Sequence, residues 1–126
     1  MKRSIFALAL LPIILIICLS MTALVSKHCK ATKEYVEKSI SAVEQGDYEK
    51  MLQHSKDAQQ YWNDHNKTLT AILRHDDSGD VGIGLAKMVG FAKMQDEEEF
   101  LAVCAEVLEH LKHIREQELP LLENIF

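Results

Sequence analysis

The 126-residue chain carries 14 basic and 19 acidic side chains, a formal net charge of −5 at pH 7. Lys2 and Arg3 precede a long apolar segment, so the rest of the chain holds 12 basic against 19 acidic residues, a net of −7. An acidic surface repels nucleic-acid phosphates, which argues against DNA or RNA as a partner. Few prolines and glycines, with abundant Leu, Ala, Glu, Lys and Gln, favour helices.

The apolar segment Ile5–Val25 has 21 residues and no charge. As a helix it would be about 32 Å long, close to the hydrocarbon thickness of a bilayer. We interpret residues 1–25 as an N-terminal stub and a transmembrane signal-anchor that contacts membrane lipid, with Pro12 tolerated in mid-span. The run is longer than a usual signal core and lacks a clean A-x-A site, although a cleaved secretory signal is the alternative.

The orientation of the span rests on opposing signals. Four lysines follow it within residues 27–38 and outnumber Lys2 and Arg3, which by the positive-inside rule favours a cytoplasmic module. Long domains, however, translocate largely regardless of charge, and the short positive stub is typical of a retained signal region. We therefore expect a single-pass protein of the cell membrane with its helical module on the extracytoplasmic side.

Residues 26–126 are predicted to form an all-α module, an antiparallel bundle of about four helices. The first helix, about 26–45, follows the span without a break, so we expect the transmembrane helix to continue into the bundle. Gly46 suits the left-handed exit of this helix, and Asp47 can cap the next one.

The second helix is predicted at about 48–75, because apolar residues recur three and four apart along it. Trp62 lies near its middle and is interpreted as a core anchor rather than a ligand-stacking platform. The acidic segment Asp76–Asp80 is typical of a turn, and a third, glycine-weakened helix is predicted at about 81–94.

Asp96 is expected to cap a fourth helix at about 97–119, which Pro120 should end. Short connections imply antiparallel neighbours. The acidic turn at 76–80 and the apolar tail Leu121–Phe126 should then both lie at the membrane end of the bundle, with the tail packed against it.

The three cysteines do not form the dense framework of a secreted disulfide scaffold. Cys18 lies within the span. Cys29 and Cys104 lie in the module, where we expect both to be free and buried. A Cys29–Cys104 bridge is the alternative if the module faces an oxidising compartment.

The sequence contains no motif that marks an enzyme, since the Gly79–Lys87 segment fails both the phosphate-loop and the dinucleotide patterns. Glu109, His110 and His113 are weak candidates for metal ligands, because their spacing could hold an ion from one helix. Di-metal bundles use Glu-x-x-His on paired helices, which does not occur here. We therefore expect no catalytic residue, no metal and no cofactor.

The chain contains several short motifs, namely Gly46-Asp47-Tyr48-Glu49-Lys50, Trp62, Asp76-Asp77, His113-Ile114 and Glu123-Asn124-Ile125-Phe126. Together with the positive stub and the single span, they resemble a small bacterial single-span family, domain of unknown function 4363, common in spore-forming Firmicutes. The resemblance covers the whole chain, although the glycines of the third helix depart from a more regular helix in the family. It implies a helical bundle beside a membrane and implies no activity, cofactor or catalytic residue.

These observations predict a non-enzymatic, membrane-anchored helical module that binds or scaffolds an unknown protein partner at the cell envelope. One alternative is a small metal- or ligand-sensing bundle that uses the histidines of the last helix. Another is a secreted, enzyme-like module released by signal cleavage.

Overall fold

The computed structural model describes the backbone of residues 2–72 and 75–125, and the side chains of residues 2–68 and 78–116. The described backbone contains no strand and forms four helices: α1 (Lys2–Glu44), α2 (Tyr48–Ile72), α3 (His75–Met94) and α4 (Glu97–Ile125).

The predicted all-α fold, with the N-terminal helix continuing into a bundle, is confirmed. Helix α1 is unbroken over 43 residues, with Pro12 inside it. Each helix packs against the next along the chain, and α4 closes the ring by packing against α1. The result is an up-down-up-down four-helix bundle from which the first half of α1 projects.

One continuous core fills the bundle because each helix buries side chains spaced three and four residues apart. Trp62 is 1 % exposed, and its indole N–H donates to the backbone carbonyl of Ser78 at 3.2 Å, which ties α2 to α3. The largest fully buried side chains are Trp62, Phe100, Met51, Leu85, Met88, Leu111, Ile114, Val25, Val36, Val81 and Val107.

The α1–α2 turn is built as its sequence predicts. Gly46 has φ +72°, in the left-handed region that favours glycine. The Asp47 carboxylate accepts a hydrogen bond from the backbone N–H of Lys50 at 3.0 Å and so caps α2.

The α3–α4 turn uses a similar geometry with a different residue. Gln95 has φ 56°, the left-handed conformation that glycine adopts at the other turn. The Asp96 carboxylate accepts from the backbone N–H of Glu99 at 3.3 Å, which places it at the N-terminal cap of α4.

The predicted turn at Asp76–Asp80 is wrong, because these residues lie inside α3, which begins at His75 rather than at 81. Asp76 and Asp77 fall in its first turn, where negative charge is favoured by the helix dipole. The structure describes α2 as far as Ile72, so the predicted end of this helix near 75 lies outside its described residues.

The predicted end of the last helix is also wrong, because α4 continues through Pro120 to Ile125. Proline removes one intrahelical hydrogen bond and kinks a helix, but the backbone can remain helical beyond it. The predicted packing of the tail Leu121–Phe126 lies outside the described side chains.

Candidate functional site

Helix α1 changes environment abruptly at Val25. Before this point its large apolar side chains are exposed, for example Phe6 at 70 %, Leu11 at 65 % and Ile16 at 62 %, whereas Val25 is 1 % exposed. Soluble monomers rarely expose an apolar surface of this extent, which marks a site of interaction with a membrane or with another protein. Helix α1 is long and apolar enough to cross a membrane. Only 6 % of its most apolar 18-residue stretch is buried, so this part of α1 is not a core helix of the bundle.

A cluster of imidazole and phenol rings joins α1 to α2 just beyond the apolar segment. His28 is 5 % exposed, and its Nδ1 atom lies 2.8 Å from the hydroxyl oxygen of Tyr61. The ring centroid of His65 lies 4.3 Å from that of His28 and 4.3 Å from that of Tyr61, and the Tyr35 ring lies 5.9 Å from Tyr61. We call these four residues the imidazole–phenol cluster.

The hydrogen bonds of the cluster constrain where its protons lie. The Nδ1 atom of His65 is 2.8 Å from the backbone carbonyl oxygen of Tyr61, and a carbonyl only accepts, so this nitrogen carries a proton. Burial lowers the pKa of His28, and the nearby His65 and Lys27 lower it further. Burial also raises the pKa of Tyr61. His28 and Tyr61 are therefore neutral at pH 7, and Nδ1 of His28 can accept from the Tyr61 hydroxyl.

The chemistry open to the imidazole–phenol cluster is proton uptake. Imidazole is the side chain whose ordinary pKa lies nearest neutrality, and two imidazoles lie in ring contact here. Among the residues whose side chains are described, no group of three or more His, Cys, Asp or Glu is placed to hold a metal ion.

The weak metal candidates of the last helix lie on a mostly solvated surface. His110 Nε2 is 3.8 Å from Glu106 Oε1 one turn away on α4, and the histidine is half-buried whereas the glutamate is exposed. Glu109 is exposed and lines a groove between α1 and α4, and His113 is exposed. The described part of the chain does not bring Glu109, His110 and His113 into a common ligand set.

The two cysteines of the module are buried in the core, and no disulfide joins the described cysteines. Burial raises the pKa of the Cys104 thiol to about 12, although a hydrogen bond with Ser39 acts in the opposite direction. Such a thiol stays protonated and has no nucleophilic character at neutral pH.

Sequence reasoning missed the imidazole–phenol cluster. A signal was present, because His28 and Tyr35 share the buried face of α1 with Thr32, and Tyr61 and His65 are one turn apart on α2. Polar rings on a buried face indicate a partner on a neighbouring helix. The register that brings α1 and α2 together at this height is a tertiary property.

The fold and the change of environment of α1 at Val25 define the class: a small all-α protein with one long helix. One half of this helix is apolar and exposed, and the other half is part of a four-helix bundle. A family model described as "Domain of unknown function (DUF4363)" matches residues 19–125, and the chain belongs to this family. The match begins inside the apolar segment and includes the whole bundle. No curated protein and no solved structure matches the chain.

Proposed function

We propose that the chain is a non-enzymatic, single-pass membrane protein whose extracytoplasmic helical module binds or scaffolds a protein partner at the cell envelope. The observation that carries the proposal is the change of environment along α1, from exposed apolar side chains before Val25 to buried ones after it. Because the helix is unbroken across this boundary, the module is held close to the bilayer rather than on a flexible linker.

The outer face of α3 supports a role in partner binding. Ile83 is 58 % exposed and Met94 is 71 % exposed, and both lie on one helical face with Gly79, Ala86 and Gly90. A Cβ atom added at Gly79 or Gly90 would meet no atom within 4 Å. The centre of this face is therefore apolar and shallow, with the exposed Lys87 and Lys93 at its edges, and it is open to close approach by another helix.

Fractionation of cells that express the full-length chain tests the anchor and its orientation. We expect the chain to remain in the alkali-washed membrane fraction with the span uncleaved, and protease added to intact spheroplasts to digest the module. A shortened chain in the soluble fraction would contradict the anchor. A module that is digested only after the spheroplasts are lysed would contradict the extracytoplasmic orientation.

Cross-linking in membranes followed by affinity purification tests partner binding. We expect a specific protein to be recovered with the wild-type chain and lost with Ile83→Glu. The matched control is Gln60→Glu, an exposed position on α2. Recovery of no specific protein, or equal recovery with Ile83→Glu, would contradict a partner on the α3 face.

A further inference from the structure

A groove of about 500 Å³ opens between α1 and α4 at the end of the bundle that faces the apolar segment. Its floor contains apolar side chains and its rim contains cations, namely Cys29, Leu108, Leu111, Lys33, Lys112 and Arg115. Two carboxylates, those of Glu109 and Glu116, lie on the same rim. An apolar floor below a rim richer in cations than in carboxylates suits an amphipathic anion.

The groove lies at the height of lipid headgroups when Ile5–Val25 spans the hydrocarbon. The headgroup layer is about 5–8 Å thick on each side, since a bilayer is about 40–45 Å thick around a core of about 30 Å. At about 1.5 Å per residue, Cys29 lies about 6 Å and Lys33 about 12 Å beyond Val25. On the antiparallel α4, Arg115 lies about 6 Å nearer the membrane than Leu111, which lines the groove together with Cys29. The groove therefore extends from the hydrocarbon boundary through this layer to just above it.

The charge around the groove differs from that of the acidic module. The stretch of α1 from residue 26 to 33 contains Lys27, Lys30 and Lys33 and no acidic residue. A cluster of basic residues directly beside a span is the arrangement that attracts anionic lipids.

The rim cations are available to a phosphate. Lys33 pairs with Glu37 at 3.8 Å, and Lys112 with Glu116 at 4.0 Å, but all four side chains are about half exposed or more. Exposed pairs of this kind contribute little and exchange readily for another anion. Arg115 adds a guanidinium, whose planar set of donors matches phosphate oxygens.

We infer that this groove binds one anionic phospholipid of the surrounding bilayer, its phosphate at the rim and its glycerol and upper acyl carbons against the floor. The inference rests on the membrane anchoring proposed above. Helix α1 forms one wall of the groove and continues directly into the bilayer, so a lipid beside the span reaches the groove without leaving the membrane.

Photo-cross-linking of the full-length chain tests the inference in vesicles of phosphatidylglycerol and phosphatidylcholine. A benzophenone amino acid is placed at Glu109 in the groove, at Gln60 on α2, or at Leu11 in the span. Gln60 is a matched control, because neighbouring Tyr61 contacts His28 and so places it at a similar height, away from the groove. We expect the Glu109 position to give severalfold more phosphatidylglycerol adduct by mass spectrometry than the Gln60 position.

The three positions separate the two proposals. Lipid adducts at Leu11 with equal yields at Glu109 and Gln60 would overturn the lipid site while supporting the anchor. No lipid adduct at Leu11 would overturn the anchor and the lipid site together. Adducts at Glu109 to a protein instead of a lipid would also overturn the inference.

Charge variants provide a second readout that does not depend on the cross-linker. We expect Tm in phosphatidylglycerol vesicles to exceed Tm in phosphatidylcholine vesicles by several degrees, because a ligand of the folded state stabilises it. The triple variant Lys33→Gln/Lys112→Gln/Arg115→Gln should lose this difference. The triple variant Lys56→Gln/Lys87→Gln/Lys93→Gln, with the same change in charge, should keep it. Equal losses in both variants would overturn a specific site.

Discussion

The Nδ1 atom of His28 lies 2.8 Å from the hydroxyl oxygen of Tyr61, and this contact joins α1 to α2 immediately beyond the apolar segment. The contact is buried on the α1 side, where His28 is 5 % exposed. A buried imidazole that is hydrogen-bonded to Tyr61 and has a second imidazole, that of His65, in ring contact makes this junction sensitive to both pH and mutation.

We expect the free energy of unfolding to fall as pH is lowered from about 7.5 to about 5. The pKa of His28 is lowered in the fold by burial, His65 and Lys27 from an ordinary value of 6.5. As pH falls, the unfolded chain therefore binds the proton before the folded chain does. Above pH 6.5 His28 costs no stability, and between 6.5 and the lowered pKa the free energy of unfolding falls with pH. The slope from this one proton is at most about 1.4 kcal/mol per pH unit.

Denaturant unfolding of the full-length chain in detergent, followed by Trp62 fluorescence, measures this dependence. We expect His28→Gln to flatten the curve between pH 7 and 5, since glutamine accepts a hydrogen bond but does not titrate. A slope that is the same in His28→Gln and wild type would assign the effect to other groups.

Removal of the Tyr61 hydroxyl should destabilise the bundle. In Tyr61→Phe the buried Nδ1 atom of His28 loses its partner, which costs about 1–3 kcal/mol. Tyr35→Phe is the control, because its hydroxyl makes no hydrogen bond within the described part of the chain, and should change stability by less than about 0.5 kcal/mol. Both values come from chemical denaturation at pH 7.5, and equal effects would contradict the importance of the His28–Tyr61 contact.

Two glycines of α3 should respond to alanine with opposite signs. A Cβ atom at Gly84 would lie 2.5 Å from Cγ2 of Val107, whereas one at Gly90 would meet nothing within 4 Å. Gly84→Ala should therefore cost about 1–3 kcal/mol through overpacking. Gly90→Ala should add about 0.5–1 kcal/mol through helix propensity. Thermal unfolding compares the two, and Val107→Ala should relieve the effect of Gly84→Ala if the clash is its cause.

Substitutions at the two left-handed turn residues should change stability in opposite directions. Gln95 has φ 56° and Gly46 has φ 72°. A residue with a Cβ atom costs about 1–2 kcal/mol in this region, so Gln95→Gly should stabilise the chain by about 1 kcal/mol and Gly46→Gln should destabilise it by a similar amount. Shifts of the same sign in denaturation midpoints would show that the turns do not hold these conformations.

The Cys104 thiol should resist alkylation in the folded chain. Its pKa is raised to about 12 by burial, so thiolate is scarce at pH 8. In a Cys18→Ala/Cys29→Ala background, we expect iodoacetamide to label Cys104 slowly in buffer and rapidly in denaturant. Mass spectrometry measures both rates, and rapid labelling without denaturant would contradict the burial of this side chain.

Much of the fold could be predicted because local rules determine it. The unbroken stretch from the span to residue 44, the left-handed Gly46 and the capping Asp47 all act through near neighbours in the sequence. The predictions fail where a local rule allows two structures. Acidic residues at 76 and 77 are favoured both in turns and in the first turn of a helix, and Pro120 can end a helix or kink it.

The imidazole–phenol cluster and the α1–α4 groove could not be predicted, because both depend on how helices are placed side by side. His28 and Tyr61 are 33 residues apart and meet only once α1 and α2 have packed. Likewise, Cys29 and Leu111 line one groove only because α4 returns beside α1. Gly84, which the sequence marks as a weak point in a helix, is needed because Val107 of the neighbouring helix approaches its backbone closely.

The unbroken course of α1 has a mechanical consequence. With α1 spanning a bilayer, a change in membrane thickness changes the tilt of the span, and the module must tilt with it. The segment from Val25 to Glu44 is about 28 Å long, so a tilt of about 10° displaces the Gly46–Asp47 turn sideways by about 5 Å. In a membrane-anchored chain, the sideways position of the far end of the bundle would thus depend on the thickness of the bilayer.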